Sequence, residues 1–334
     1  MKKIIAAVLV LALALSLVAC GGSSKPAAGK TQELILFAAS IPENTPTGVG
    51  LKAMADYINE NSNGTLKAVD YYDTALGDAS SLAEALKTGT VDVGVSGTAY
   101  FSSLVPEIEV FQLPFLFSDL ETARRICSGP VADEINQMFA PHGLIGLSFW
   151  ENGFRELSNN KVAVKTPADM KGIKMRTLGA KVQIATWNAF GAMTTQIDAS
   201  ELYTSLQQGT IDAQDNPLHE IVARKLYEVQ PYVSMTDATY TPFYMAISQA
   251  KWDALDDTQK ALVKEAAAVG RKAQLEATDA AQATAKQTLI DNGVTIVEDV
   301  DKAAFQALAM PQWDIFTSQS EASAKLLKEV QDAM

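Results

Sequence analysis

The apolar positions of this chain fall into three regimes. Residues 4–19 (IIAAVLVLALALSLVA) form an almost unbroken apolar run behind Lys2 and Lys3. The run is short and alanine-rich for a membrane span and has no basic stop-transfer flank, so residues 1–19 read as a secretory signal peptide. Further on, short apolar runs alternate with amphipathic stretches. LILFAAS (34–40), TLKAVDYY (65–72), VDVGVS (91–96), LIGLSFW (144–150), IKMRT (173–177), IDAQ (211–214) and FYMAIS (243–248) have the length and residue types of strands. Stretches such as GVGLKAMADYINENS and SLAEALKTG have helical spacing, and Gly64 and Gly89 stand where helix C-caps are expected. Such alternation predicts an α/β fold with largely parallel sheets.

The third regime is a proline-free stretch from about Asp257 to Asp291, dense in Ala, Lys, Gln and Glu and followed by Gly293 as a stop signal. At about 1.5 Å per residue, roughly 33 residues run about 50 Å, longer than a single lobe. Gly270 inside it costs about 1 kcal/mol relative to alanine, too little to cancel the helix. No sustained heptad supports a coiled coil. The helix is therefore expected to lie across two lobes and tie them together.

Composition sharpens this picture in two ways. Roughly 300 residues beyond the signal segment suggest two lobes rather than one core. Removing residues 1–19 takes away two lysines and no acids, so the formal charge moves from −12 to −14. A surface that acidic argues against nucleic acid or anionic lipid as the main partner, and any anion site must be a local cluster of arginines. Leu17-Val18-Ala19-Cys20 resembles the bacterial lipobox, in which the cysteine is lipidated and becomes the first mature residue; the alternative is an ordinary signal peptide that happens to end at a cysteine. Residues 20–30 then read as the lipidated Cys20 and a flexible tether, which puts the protein outside the cytoplasm, anchored to the membrane by lipid. With Cys20 so used, Cys127 has no partner for an intramolecular disulfide.

Nothing in the chain reads as catalytic. His142 and His219 lie far apart without metal-ligand spacing, and no nucleophile elbow, phosphate loop or dinucleotide fingerprint is present, so no metal and no cofactor are expected. The informative residues lie between 150 and 217. WENGFRELSN places Arg155 after a Gly-containing turn at the start of a strand, KGIKMRT places Arg176 in a short alternating strand, and IDAQDNP puts Asn216 in a turn closed by Pro217. Two arginines and an amide brought together make an anion clamp, because a guanidinium meets a carboxylate with two parallel hydrogen bonds that lysine cannot reproduce. Taken singly, each arginine reads as an ordinary surface residue. Asp198 fits two roles: a hydrogen-bond acceptor for substrate hydroxyls, or, with Glu201, a capping box opening the helix ELYTSLQQ. Phe115 in PFLF and Trp150 in SFWEN are candidate apolar walls of a cleft, against core packing as the default.

Several segments in order, EVFQLPFLF, TPADMKGIKMR, SELYTSLQQGTIDAQDNP and RKLYEVQPYVSMT, resemble the extracytoplasmic solute-binding proteins of TRAP transporters, of the dicarboxylate-binding type. The similarity runs from about residue 33 to 320. It implies a two-lobed periplasmic-binding-protein-like fold in which each lobe is a mainly parallel sheet flanked by helices and one long helix spans both. The expected division is 31–152 plus about 241–282 for the first lobe and 153–240 plus about 283–334 for the second. The resemblance further implies that Arg176 forms the main salt bridge to a substrate carboxylate, Arg155 makes a second carboxylate or hydroxyl contact, and Asn216 hydrogen-bonds the same carboxylate. Here the turn reads QDNP, with Asp215 where relatives carry Glu, and Ala199 stands where many carry an aromatic, which leaves room for a larger ligand than a four-carbon diacid.

The expected function is thus capture of a small organic acid, a sugar acid such as a uronate or a dicarboxylate, and its delivery by a monomer to TRAP membrane subunits. Hinge closure follows from a ligand that touches both lobes. Two other readings share the scaffold: a sensory binding protein presenting the acid to a receptor, and an extracytoplasmic enzyme.

Overall fold

A computed structural model describes residues 31–334 of the chain. The signal segment, Cys20 and the tether lie outside the described residues. Nine strands are described: β1 (Gln32–Ala39), β2 (Leu66–Asp73), β3 (Val93–Gly97), β4 (Leu144–Asn159), β5 (Lys174–Thr177), β6 (Met193–Gln196), β7 (Ala213–Asn216), β8 (Tyr232–Ser248) and β9 (Thr295–Val297). They join in the order β2-β1-β3-β8-β4-β7-β5-β6, with β9 on β8. The outer strands are parallel within each lobe, β2-β1-β3 in the first and β7-β5-β6 in the second. Between them run β4 and β8, an antiparallel pair that passes through both lobes.

The length of β4 and β8, 16 and 17 residues, exceeds the short runs read at 144–150 and 243–248. Their pairing slips between Gly146 and Ser148, Glu151 and Gly153, and Arg155 and Leu157. Each slip shifts the two-residue side-chain alternation, so the strand pattern fades although the ladder continues. Arg155 accordingly sits in the middle of β4 rather than at the start of a strand, and Gly153 at a slip takes φ +121°.

Each lobe packs helices on its sheet. In the first, Leu34, Leu36 and Val93 meet Met54 and Ile58 of the helix Pro46–Asn61, while Phe37, Phe101, Phe111 and Phe139 fill the other face. In the second, Met175, Trp187, Phe190 and Phe305 form one cluster, and Leu202, Ile211 and Val233 another. The long helix runs over Asp257–Asp291, opened by a capping box between Asp256 and Gln259. It contributes Val263, Ala266 and Ala267 to the first lobe and Ala285 and Leu289 to the second, and so spans both. Among the described residues, no helix is long and apolar enough to cross a membrane.

The C-terminal segment departs from the expected division. Phe305 packs in the second lobe, but Phe316, Leu326 and Val330 join the first-lobe cluster of Phe101 and Phe111. Lys325 of the helix Glu321–Ala333 pairs with Glu134 at 2.9 Å, and Trp313 donates to the Pro114 carbonyl at 3.0 Å. The chain from about residue 313 therefore returns to the first lobe. Its apolar stripe matches the phenylalanine-rich face left open there, and no local sequence signal reports such a long-range match. Cys127 is free and buried, with its thiol pKa pushed up by burial, and reads as core.

Candidate functional site

The carboxyl ends of β1, β3, β5 and β7 converge on a small cavity between the lobes. This is where open α/β sheets offer ligand sites, because the strand ends leave a crevice that helices do not cover. The first lobe supplies Ser40 after β1, Thr98 after β3, and Tyr100 and Gln112 from the turns that follow. The second supplies Arg176 from β5, Ala199, Asn216 at the end of β7, and Glu220 and Arg224 beyond it. Asn152 and Arg155 of β4, with Thr241 and Phe243 of β8, complete the wall.

Arg176 is only 1% exposed. Its Nε donates to the Ile197 carbonyl at 2.8 Å, and its Nη2 lies 3.4 Å from the Tyr100 hydroxyl in the other lobe. Arg155 and Arg224 each bond to a carboxylate, whereas among the described residues Arg176 forms no salt bridge. Burial pushes its pKa down, and the neighbouring Arg155 and Arg224 push the same way. Starting so high, a guanidinium stays protonated regardless. The cavity therefore holds one desolvated positive charge whose burial is costly until an anion meets it.

Arg155 is held differently. Nε and Nη2 both bond to Asp215, the first at 2.7 Å to Oδ2, and Nη2 also reaches the Asp215 carbonyl. The remaining nitrogen, Nη1, lies 3.4 Å from Thr241 Oγ1 on the cavity wall. Asp215, which the sequence showed only as a substitution for Glu, thus neutralises Arg155 and fixes its plane. Asn216 ends β7 as a strand residue rather than lying in a turn. Behind it runs a buried chain: Asn216 donates to Gln214 at 2.6 Å, Gln214 to Ser158 at 2.7 Å, and Ser158 to Gln230 at 3.0 Å. The chain locks the amide but uses only one of its donors, which leaves the other N–H and the carbonyl for a ligand.

Two clasps join the lobes beside the cavity. Ser40 donates to Asp198 Oδ1 at 2.6 Å, and the Ser40 carbonyl accepts from Arg224 at 2.9 Å. The Tyr100 hydroxyl accepts from the Ala199 amide at 3.1 Å. Arg224 is aimed by Glu220, 2.7 Å from its Nε. Burial alone would raise the Glu220 pKa, but Arg224 and His219 outweigh it and hold the carboxyl below its usual range. Asp198 therefore caps the turn Ala199–Glu201, accepting from the Ser200 amide at 2.9 Å, and at the same time ties that turn to the opposite lobe. It does not line the cavity, although its neighbour Ala199 does.

Two sequence candidates fall elsewhere. Trp150 is fully buried in the first-lobe core, its ring against Gly50 and Gly270 where two helices cross. Phe115 packs against the second-lobe cluster and borders a separate surface hollow with Phe154, Asp237 and Lys302. Neither lines the cavity: Trp150 is a core aromatic and Phe115 a half-buried one, and the apolar lining includes Ile41, Leu178 and Phe243, the direct ladder partner of Trp150. Tyr100, Gln112 and Arg224 were not legible as site residues. They come from short 3₁₀ turns and a helix end far apart in sequence, and only the strand crossings bring them together.

Comparison with known proteins gives a consistent result. A family model described as bacterial extracellular solute-binding protein, family 7, matches residues 37–320. The chain is 35% identical over 291 residues to the 2,3-diketo-L-gulonate-binding periplasmic protein YiaO of Escherichia coli K12, covering 85% of this chain and 87% of that protein. The sugar acid binding protein DctPAm from Advenella mimigardefordensis, solved in complex with galactonate, matches with a TM-score of 0.87 at 29% identity, over 92% of this chain and 100% of that one. A TRAP periplasmic solute-binding protein from Polaromonas sp. JS666, bound to D-erythronate, gives 0.85 at 30% identity, over 90% and 98%.

Proposed function

The chain belongs to family 7 of the bacterial extracellular solute-binding proteins, and from that premise we propose that it captures a small organic acid between its lobes and hands it to TRAP-type membrane subunits. The ligand class is a sugar acid or a dicarboxylate, in line with relatives that bind diketogulonate, galactonate and erythronate. The observation that carries the reading is Arg176, buried at the junction of the lobes without a carboxylate partner of its own among the described residues. A ligand carboxylate docking there gains two charge-assisted bonds in a site that excludes water, where each is stronger than in solution. Arg155 and Asn216 make further polar contacts to the same ligand from β4 and β7, and Asp198 acts through the clasp with Ser40. Ala199 leaves space beside them.

Closure follows from the two-sided geometry: a ligand that bonds Arg176 in one lobe and the wall of the other favours the closed state by its differential affinity. The protein acts as an extracytoplasmic receptor that releases its cargo unchanged. Cys20 carries a lipid that tethers it to the membrane, and the folded unit is a monomer. The test is calorimetric titration of the purified protein with sugar acids and dicarboxylates, with Arg176→Lys alongside. Binding of an acid that Arg176→Lys weakens at least about 100-fold supports the site, because the bidentate geometry is lost; near-normal affinity in that variant overturns it. Recovery of a chemically altered acid after incubation would overturn release unchanged in favour of an enzyme. Mass spectrometry of Cys20 tests the anchor.

A further inference from the structure

Three buried acceptors in the cavity wall have no donor among the described residues: Gln112 Oε1, Asn152 Oδ1 and Glu220 Oε1. Resting on the reading of this cavity as an acid site, we propose that its ligand is a monocarboxylate bearing several hydroxyl groups, and that these three residues select it against dicarboxylates and amino acids.

The argument begins with charge. Arg155 is matched by Asp215 and Arg224 by Glu220, so one guanidinium, that of Arg176, is left to take one carboxylate. A second ligand carboxylate would find no second free cation. On the side of Gln112, Asn152 and Glu220 it would lie against amide and carboxylate oxygens, acceptor facing acceptor, and would lose hydration there without replacement.

The amides are oriented by their own bonds. Gln112 Nε2 donates to Thr98 Oγ1 at 2.7 Å, and Asn152 Nδ2 donates to Thr241 Oγ1 at 3.1 Å. With each nitrogen bonded to a threonine hydroxyl, the oxygen is the end of each side chain left without a hydrogen bond. Glu220 likewise gives Oε2 to Arg224, while its Oε1 has no hydrogen bond and lies 4.0 Å from His219 Nε2. A site that leaves buried acceptors unpaired rejects ligands lacking donors more strongly than an apolar site rejects an extra group. Ligand hydroxyls supply those donors without adding charge. An ammonium would supply them too, but would add a positive charge beside three guanidinium groups offset by only Asp215 and Glu220.

The test is a calorimetric ranking on the purified protein. The probes are D-gluconate and D-galacturonate as hydroxylated monoacids, succinate and D-glucarate as diacids, D-glucosaminate as the ammonium-bearing analogue, and hexanoate as the acid without hydroxyls. At least one hydroxylated monoacid is expected to bind 100-fold more tightly than either diacid, D-glucosaminate or hexanoate. Gln112→Leu is expected to cut its advantage over hexanoate at least tenfold, a ratio that a purely structural effect would leave unchanged. The ranking on the unmutated protein stands alone if that variant does not fold. Succinate or D-glucarate binding as tightly as the best monoacid, or D-glucosaminate binding more tightly than D-gluconate, overturns the inference while the acid site survives through its dependence on Arg176. Acid binding that is indifferent to Arg176→Lys, or silence from every acid, overturns the acid site and the inference together.

Discussion

Arg155 donates from Nε to Asp215 Oδ2 across 2.7 Å between neighbouring strands, and neither side chain exposes more than 4% of its surface. Losing one partner of such a pair strands a buried charge, which typically costs about 3–5 kcal/mol. Asp215→Ala should therefore lower the unfolding free energy by about 3 kcal/mol and weaken acid binding, because Arg155 loses the carboxylate that fixes its plane. The double variant Arg155→Met, Asp215→Leu should recover most of the stability and none of the affinity. Urea denaturation of the three proteins checks the stabilities and calorimetric titration the affinities; a single variant within about 1 kcal/mol of the parent in stability would show that the pair is not closed to water.

At Gly270 sequence and structure give opposite signs. On an exposed helix, alanine in place of glycine gains about 1 kcal/mol. Here a Cβ on Gly270 would stand 2.8 Å from the Gly50 carbonyl oxygen and 3.0 Å from Met54 Cβ and Trp150 Cζ2. A backbone carbonyl and an indole ring cannot step aside as a flexible side-chain tip can, and overpacking costs about 1–3 kcal/mol. Gly270→Ala should be destabilising in urea, by up to about 2 kcal/mol net. A neutral or stabilising result would mean that the long helix slides freely over the helix Pro46–Asn61.

These two cases mark how far the chain could be read. The long helix was legible because its proline-free body and the Gly293 that follows it are local signals, while the capping box between Asp256 and Gln259 came only from the structure. Arg176 was legible as a candidate because its strand alternates and because the segment around it resembles a known family. Trp150 misled: an aromatic beside Glu151 and Asn152 looks like a cleft wall, yet the register slip at Glu151 leaves it in the core while Asn152 lines the cavity. Asp198 was read as a cap or a ligand contact, and the structure adds a clasp to Ser40, a residue 158 positions away. The unread part of the site is the part assembled by strand crossings, which leave no local periodicity.

Glu156 gives a pH dependence whose sign is fixed. Burial, reinforced by the neighbouring Asp237, raises its pKa well above the usual carboxylate value, and the Asp237 amide donates to its Oε2 at 3.0 Å. The folded protein therefore holds a proton that the unfolded chain releases near pH 4.3. Its contribution to stability is full below that pH and is lost as pH rises through the folded-state value. Burial would raise the Asp237 pKa, but Glu156 and Lys302 outweigh it and lower it, so its own contribution is lost only as pH falls below the usual range. Glu156→Gln cannot ionise and keeps an acceptor for the Asp237 amide. Its stability relative to the parent should rise steadily from pH 4.5 to pH 8, measured by urea midpoints; a constant difference would mean that Glu156 is ionised in the fold.

Tyr100 offers the cleanest way to separate closure from ligand contact. Its hydroxyl accepts from the Ala199 amide at 3.1 Å and lies 3.4 Å from Arg176 Nη2, so it bonds the first lobe to the second. Phenylalanine keeps the ring and removes only that oxygen. On the proposed closure the open protein forms none of these bonds, so encounter with an acid should proceed at an unchanged rate. The closed complex loses one bond to a charged group and one to an amide, a loss of about 1.5–3 kcal/mol, and should reopen at least about tenfold faster. Stopped-flow kinetics on Tyr100→Phe reads the two rates separately. A slower association with unchanged dissociation would place Tyr100 in the docking step instead and would remove it from the clasp.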